Sequence, residues 1–465
     1  MGEPQAGTAD ELAQVRAENQ HLRAQIERQN AQIEKLTALV EELRRGGKRQ
    51  AAPFSKGSPK SDPKPPGRKA GDDYGPKARR KIPPKVEEVY DVPLPAACPA
   101  CAGNLEERGV AAQYQTEIPR KPILRRFDVH LGVCVCCRKH VQGRHPLQTS
   151  DALYAAASQM GPDAQALATT LNKEGGLSHG KIQRVFQTVF GITFSRGASA
   201  QFMLRAARRC GYAYKEIQIA VKQGAWCVPD ETGWRVGGKL QWLHAFVTKL
   251  ATLYLIRDSR GFDVAAEALG AVYSGDLTHD GWAPYDKFEN AHHGQCNAHL
   301  LRRCDHLLDT ATGGAVTFPR QTKALLKEGL AVRDGRDSGR ISLRQAALKA
   351  QGFTDRLAGL CGRKTHAGNE RLASFLDFHI GEVFNYLRRP NIDATNWRAE
   401  QAIRPAVVNR KVWGGSRTQD GAAAQGILMS VLRTAIQHGK NTLSFLSDTL
   451  RASPSRAPKL IAASP

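Results

Sequence analysis

The chain has 465 residues, enough for several domains and at least one large core. Its 67 Lys and Arg outnumber 44 Asp and Glu, and the net charge of +23 points to a polyanionic partner, with DNA or RNA foremost. No apolar run approaches the ~20 residues of a membrane-spanning helix. The N-terminus also lacks the charged and apolar regions of a secretory signal, so a cytoplasmic protein is expected. There the ten cysteines are metal ligands or small buried hydrophobes rather than disulfides.

Residues 8–45 carry a heptad pattern. Leu12, Asn19, Ile26, Ile33 and Val40 form one seam, and Val15, Leu22, Gln29, Leu36 and Leu43 the other. Ile and Val at a with Leu at d favour a parallel dimer, and Asn19 fixes register at some cost in stability. A homodimer or higher oligomer through this zipper is expected, the alternative being one amphipathic helix packed on its own protein. Residues 46–88 read as a basic linker that cannot fold alone. From 44 to 85 there are fourteen Lys or Arg against three Asp, which suits salt-dependent, non-specific DNA binding.

Residues 89–148 form a cysteine-rich module. Cys98 and Cys101 make one C-x2-C knuckle and Cys134 and Cys137 another, with β-prone runs between them. Two knuckles around a hairpin suit structural Zn²⁺, and Cys136 and His140 are alternative ligands. Residues 155–215 read as three helices separated by glycines, with Ser178 and Ser195 as N-caps. The third is basic, and the set resembles a helix-turn-helix DNA-binding region or, equally, any small bundle.

From residue 222 to 300 the period changes. "AWCVP", "GWRVGG", "WLHAFVT" and "TLYLIRD" read as strands, followed by a helix in "FDVAAEALGAV" and a strand ending at "GDLTHD". This order begins a ribonuclease H-like core, with Asp230 ending the first strand and Asp280 ending the fourth. Such strand ends are neighbours, so two carboxylates 50 residues apart can share a metal. Residues 301–390 are largely helical and read as an insertion, because a compact sheet cannot otherwise accommodate the gap. Glu400 lies on a helix within 391–440, beginning near Asp393–Asn396. Arg404, one turn on, forms either an i,i+4 pair with Glu400 or, with Arg410 and Lys411, a grip on the DNA backbone. "WGGSRTQDGA" adds a glycine-rich loop that can approach phosphates. Residues 441–465 read as a C-terminal tail. The whole is a multidomain α+β chain with an N-terminal coiled coil, a zinc-binding β module, a helical DNA-binding region and a split α/β core.

The blocks "CVPDETGWRV", "LTHDGWAPYDKF" and "NWRAEQAIRPAVVNRKVWGGS" resemble those of the insertion-sequence 66 transposases, large TnpC-type DDE enzymes. The resemblance extends over nearly the whole chain. It implies that Asp230, Asp280 and Glu400 form the catalytic triad. "CNAH" resembles the family's C-x2-H motif, leaving Cys296 and His299 as either metal ligands or a structural contact. Trp282, Trp397 and Gln401 depart from the family pattern without removing a carboxylate.

The resemblance implies a bacterial, nucleoid-associated DNA transposase with two Mg²⁺ (or Mn²⁺) ions held by the triad. It would cleave the element's ends and transfer their 3′-OH groups to target DNA. Its partners would be double-stranded DNA, a second copy of the chain and small accessory proteins. The alternatives are a catalytically silent, repurposed DNA-binding protein and a nuclease of the same fold that does not join strands.

Overall fold

In the computed structural model the described residues are 83–97, 99–104, 121–143, 159–452 and 458–461, with Leu22, Gln25, Gln29, Glu106, Val110, 112–115, Ile118, His145, Leu147 and Gln148. The chain divides into two units, Met1–Glu117 and Ile118–Pro465. In the first, Leu22, Gln25 and Gln29 are helical and exposed. The rest of the expected zipper, the linker up to residue 82 and Cys98 lie outside the described residues.

The second unit begins with a small antiparallel hairpin, β1 (Leu131–Val133) and β2 (His140–Gln142). Four helices follow: α1 (Pro162–Lys173), α2 (His179–Phe190), α3 (Arg196–Arg209) and α4 (Gly211–Lys222). Ser178 and Ser195 cap α2 and α3 as expected, each accepting a hydrogen bond from the backbone N–H three residues on.

A five-stranded sheet comes next, built from β3 (Trp226–Val236), β4 (Lys239–Val247), β5 (Thr252–Arg257), β6 (Asp276–His279) and β7 (His292–Gln295). The order is β5-β4-β3-β6-β7. The first three strands pair antiparallel, and β6 and β7 run parallel to β3. Helix α5 (Phe262–Leu269) makes the crossover between β5 and β6. The runs "AWCVP" and "GWRVGG" belong to one continuous strand, so Asp230 lies within β3 rather than at its end.

Alternation along the strands gives the sheet two apolar faces. Cys227, Phe246, Leu253, Leu255 and Leu277 point into a core shared with α1–α5, α11 (Gln419–Gln437) and α12 (Thr442–Arg451). The region read as a separate DNA-binding bundle thus shares one hydrophobic core with the sheet. Residues 442–451, expected as tail, form a helix in that core. Val228, Trp234, Leu243, Ala245, Tyr254 and Ile256 face the other way, onto α10 (Trp397–Trp413). Here Ala399, Ala402 and Ala406 let the helix approach the strands closely, and Tyr254 Oη donates to the Ala402 carbonyl at 2.6 Å.

A second core holds α6 (Asn297–Thr310), α7 (Thr317–Asp337), α8 (Leu343–Leu360), α9 (Ala367–Phe378) and residues 383–394. A helical body therefore separates Asp280 from Glu400, with its own buried interior.

Candidate active site

Cys227 of β3 pairs with Leu277 of β6 in parallel register. Asp230 lies three residues past Cys227 on β3, Asp280 directly follows the last residue of β6, and the two carboxylates are near enough to interact electrostatically. Glu400 comes from α10, which packs across β3. The three carboxylates interact electrically: Asp230 is pushed up to about 7, first by burial and then by Glu231, with Asp280 and Glu400 adding to the effect. The Glu231 N–H, 2.9 Å from Asp230 Oδ1, opposes it.

A brace surrounds the sheet side of this cluster. The Glu231 side chain is 2 % exposed and bonded by Arg260 at 2.6 Å and by Tyr285 Oη at 2.8 Å. The Arg260 guanidinium lies 3.8 Å from the Trp282 ring and 4.8 Å from that of Trp242. Trp282 donates through its indole to the Arg260 carbonyl at 3.2 Å and through its backbone N–H to Asp280 Oδ1 at 3.1 Å. One chain of contacts thus links the neighbour of Asp230 to Asp280. Between Asp280 and Trp282, Gly281 has φ 85°, and a Cβ there would fall 2.5 Å from the Phe375 ring.

Behind Asp280, ring nitrogens form a relay. Gly281 N–H donates to His279 Nδ1 at 3.2 Å, His279 Nε2 meets His293 Nδ1 at 3.1 Å, and His293 Nε2 meets the Phe288 carbonyl at 3.0 Å. Ligating atoms of His279, His293 and Glu382 lie within 4.8 Å of one another, the only such metal-sized set among the described residues. With Gly281 N–H on Nδ1, however, His279 keeps its proton on Nε2 and donates it to His293. The set is then satisfied as a hydrogen-bonded network, and it ties β6 and β7 to the end of the helical insertion.

The Glu400 side is more open. Its side chain is 42 % exposed and pairs with Arg302 of α6 at 3.3 Å rather than with Arg404. Arg404 and Lys411 are exposed, whereas Arg410 bonds Thr232 Oγ1 at 3.2 Å and the Gly233 carbonyl. The glycine-rich loop packs on protein. Ser416 bridges to Val236, and Gly415 lies so close to Arg235 that a Cβ would meet its carbonyl oxygen at 2.3 Å.

In the hairpin, backbone N–H groups of Cys137 and Cys136, with the Cys137 thiol, hold the Cys134 thiol below the usual range. Cys136 and Cys137 are exposed, as is Cys101 of the first unit.

Residues 157–424, more than half of the chain, match the family model described as Transposase IS66 family. The chain belongs to that family. No curated protein matches it. The match spans Asp230, Asp280 and Glu400 and leaves the four cysteines outside it. IS66 membership carries DNA binding and a general requirement for divalent metal. The donor set fits that requirement, because carboxylate oxygens converge where a hard cation would relieve their repulsion. Among the described residues no helix is long and apolar enough to cross a membrane.

Sequence reasoning missed Glu231, Arg260, Tyr285 and Arg302 in this IS66 protein. Glu231 and Tyr285 stood inside the blocks that identified their neighbours. Arg260 and Arg302 had no local signal, since their partners lie 29 and 98 residues away.

Proposed function

We propose that Asp230, Asp280 and Glu400 are the catalytic triad of a DDE transposase that cuts the ends of an insertion sequence and joins the 3′-OH ends to target DNA. The observation that carries this reading is the acid convergence itself. In a chain of net charge +23, Asp230 is pushed up to about 7 by burial and three neighbouring carboxylates. A sheet with antiparallel β5-β4-β3 and parallel β3-β6-β7 supports a ribonuclease H-like core, split by the helices between Asp280 and Glu400.

Asp230, Asp280 and Glu400 would hold a pair of Mg²⁺ or Mn²⁺ ions. Such ions, when bound, activate a water or 3′-OH and stabilise the leaving oxygen of a phosphodiester. The protein's part is positional. Glu231, Arg260 and Tyr285 keep Asp230 and Asp280 at a fixed separation, and Arg302 holds Glu400 until cation and DNA arrive. Arg404 and Lys411 are available to phosphates, while Arg410 supports the β3 backbone and would act on DNA only indirectly.

Outside the triad, Cys134 and Cys137 would serve as one knuckle of a structural Zn²⁺ site. The amides gathered around Cys134 support a metal knuckle. The zipper in residues 8–45 would pair two chains for synapsis of two element ends. Arg205 and Arg208 on the exposed side of α3 suit contact with DNA.

The test is a cleavage and joining assay on DNA carrying the element's ends, with Asp230→Asn as the variant. The reading expects Mg²⁺-dependent cuts leaving 3′-OH ends, joining to target DNA, and loss of both in the variant with DNA binding retained. Binding without cleavage by the wild type, in Mg²⁺ and Mn²⁺ alike and with neighbouring gene products added, would favour a silent DNA-binding protein.

A further inference from the structure

The structure separates the two members of the C-x2-H pair. Cys296 is 1 % exposed; its Sγ donates to Asn396 Oδ1 at 3.1 Å and accepts from the Asn396 N–H at 3.3 Å. Asn297 N–H adds a bond to the Ala394 carbonyl at 2.9 Å. Cys296 and Asn396 are the N-caps of α6 and α10. The thiol is therefore a latch that starts both helices from one junction, and it is committed to that role.

His299 has no such role. It is the third residue of α6, as Glu400 is the fourth of α10, and Arg302 one turn further along α6 reaches Glu400 at 3.3 Å. The imidazole interacts electrostatically with both Asp280 and Glu400. Its Nδ1 is buried and has no hydrogen-bond partner. An unpaired buried ring nitrogen is costly and calls for an occupant. Burial, with Arg302 and Arg303 nearby, holds the ring below its ordinary pKa and so uncharged, the form in which imidazole ligates metals.

We propose that His299 supplies a nitrogen ligand to the divalent ion held by Asp280 and Glu400, making the site three carboxylates and one imidazole. The proposal rests on the triad reading above. Its consequence is a shift in metal preference: a nitrogen donor favours Mn²⁺ and other borderline ions over Mg²⁺, which takes oxygen.

The experiment is pulsed electron paramagnetic resonance on full-length protein loaded with Mn²⁺, prepared with natural and with ¹⁵N-labelled histidine. The wild type should show nitrogen modulation that changes with the label. His299→Gln should lose it while still binding Mn²⁺, at least about 10-fold more weakly. Mn²⁺ binding that depends on Asp280 but shows no histidine nitrogen overturns the proposal and leaves the triad standing. Mn²⁺ binding equal in the wild type and Asp280→Asn removes the triad and the proposal together. Modulation that survives in a folded His299→Gln variant assigns the nitrogen to another histidine and also overturns it. Should His299→Gln fail to fold, His299→Asn carries the same comparison, and a labelled wild type without histidine modulation overturns the proposal by itself.

Discussion

The two sides of the acid cluster are built differently. On the sheet side, Asp230 within β3 and Asp280 just past the end of the parallel β6 are cross-linked through Glu231, Arg260, Tyr285 and Trp282, most of them buried or half-buried. On the helix side, Glu400 is 42 % exposed and held by one pair with the exposed Arg302. Two carboxylates are thus fixed before any ligand arrives, and the third is held by a bond weak enough to exchange. The contrast matches a site in which the sheet sets the metal position and the helix completes it around DNA.

Removing the brace should have the largest effect on stability. Arg260→Ala strands the buried Glu231 carboxylate and should destabilise the fold by about 3 kcal/mol, since breaking a buried pair leaves an uncompensated charge. Denaturant unfolding measures it, and a change below about 1 kcal/mol would show that the brace is not structural.

Asp230 makes the sheet side sensitive to pH. Its folded pKa of about 7 lies above the ordinary 3.8, so the folded state binds the proton more tightly. Stability of the metal-free protein should therefore fall as pH rises from about 4 to 7, by a few kcal/mol at most, and then level off. Asp230→Asn should flatten that window, and Mg²⁺ should restore stability above it. A metal-free wild type whose melting temperature does not fall across this range would contradict the assignment.

Gly281→Ala should cost about 1–3 kcal/mol from the strained backbone, and more if Phe375 cannot move. Because the strain sits between Asp280 and Trp282, metal-dependent cleavage should fall more than overall stability does. Equal losses would mean a purely structural role. The smallest effect belongs to the open side: Arg302→Ala should change stability by less than about 1 kcal/mol, as exposed ion pairs do. A larger loss would place Glu400 among the braced groups.

Much of the sheet side was legible in the sequence, because β-period runs and a 50-residue spacing already set Asp230 against Asp280. Less legible was whatever depends on distant partners. Glu400 reads locally as a partner for Arg404, yet the fold gives it Arg302, because α6 and α10 leave one junction latched by Cys296. Arg410 reads as a DNA contact, and no local signal announces its bonds to Thr232 and Gly233 of β3. Strand β7, four residues with two histidines, carries no apolar alternation to announce it. Helix α12 was hidden for another reason: its buried Phe445, Leu446 and Leu450 follow a helical period, but the segment stands beside a polar terminus that reads as tail.

The most direct test measures Glu400→Gln twice, for Mg²⁺-dependent cleavage of the element's ends and for thermal stability. Cleavage should fall by at least about 1,000-fold, as loss of a group stabilising transition-state charge requires, while the melting temperature stays within a few degrees of the wild type. Cleavage at wild-type rates would remove Glu400 from the site and contradict the account.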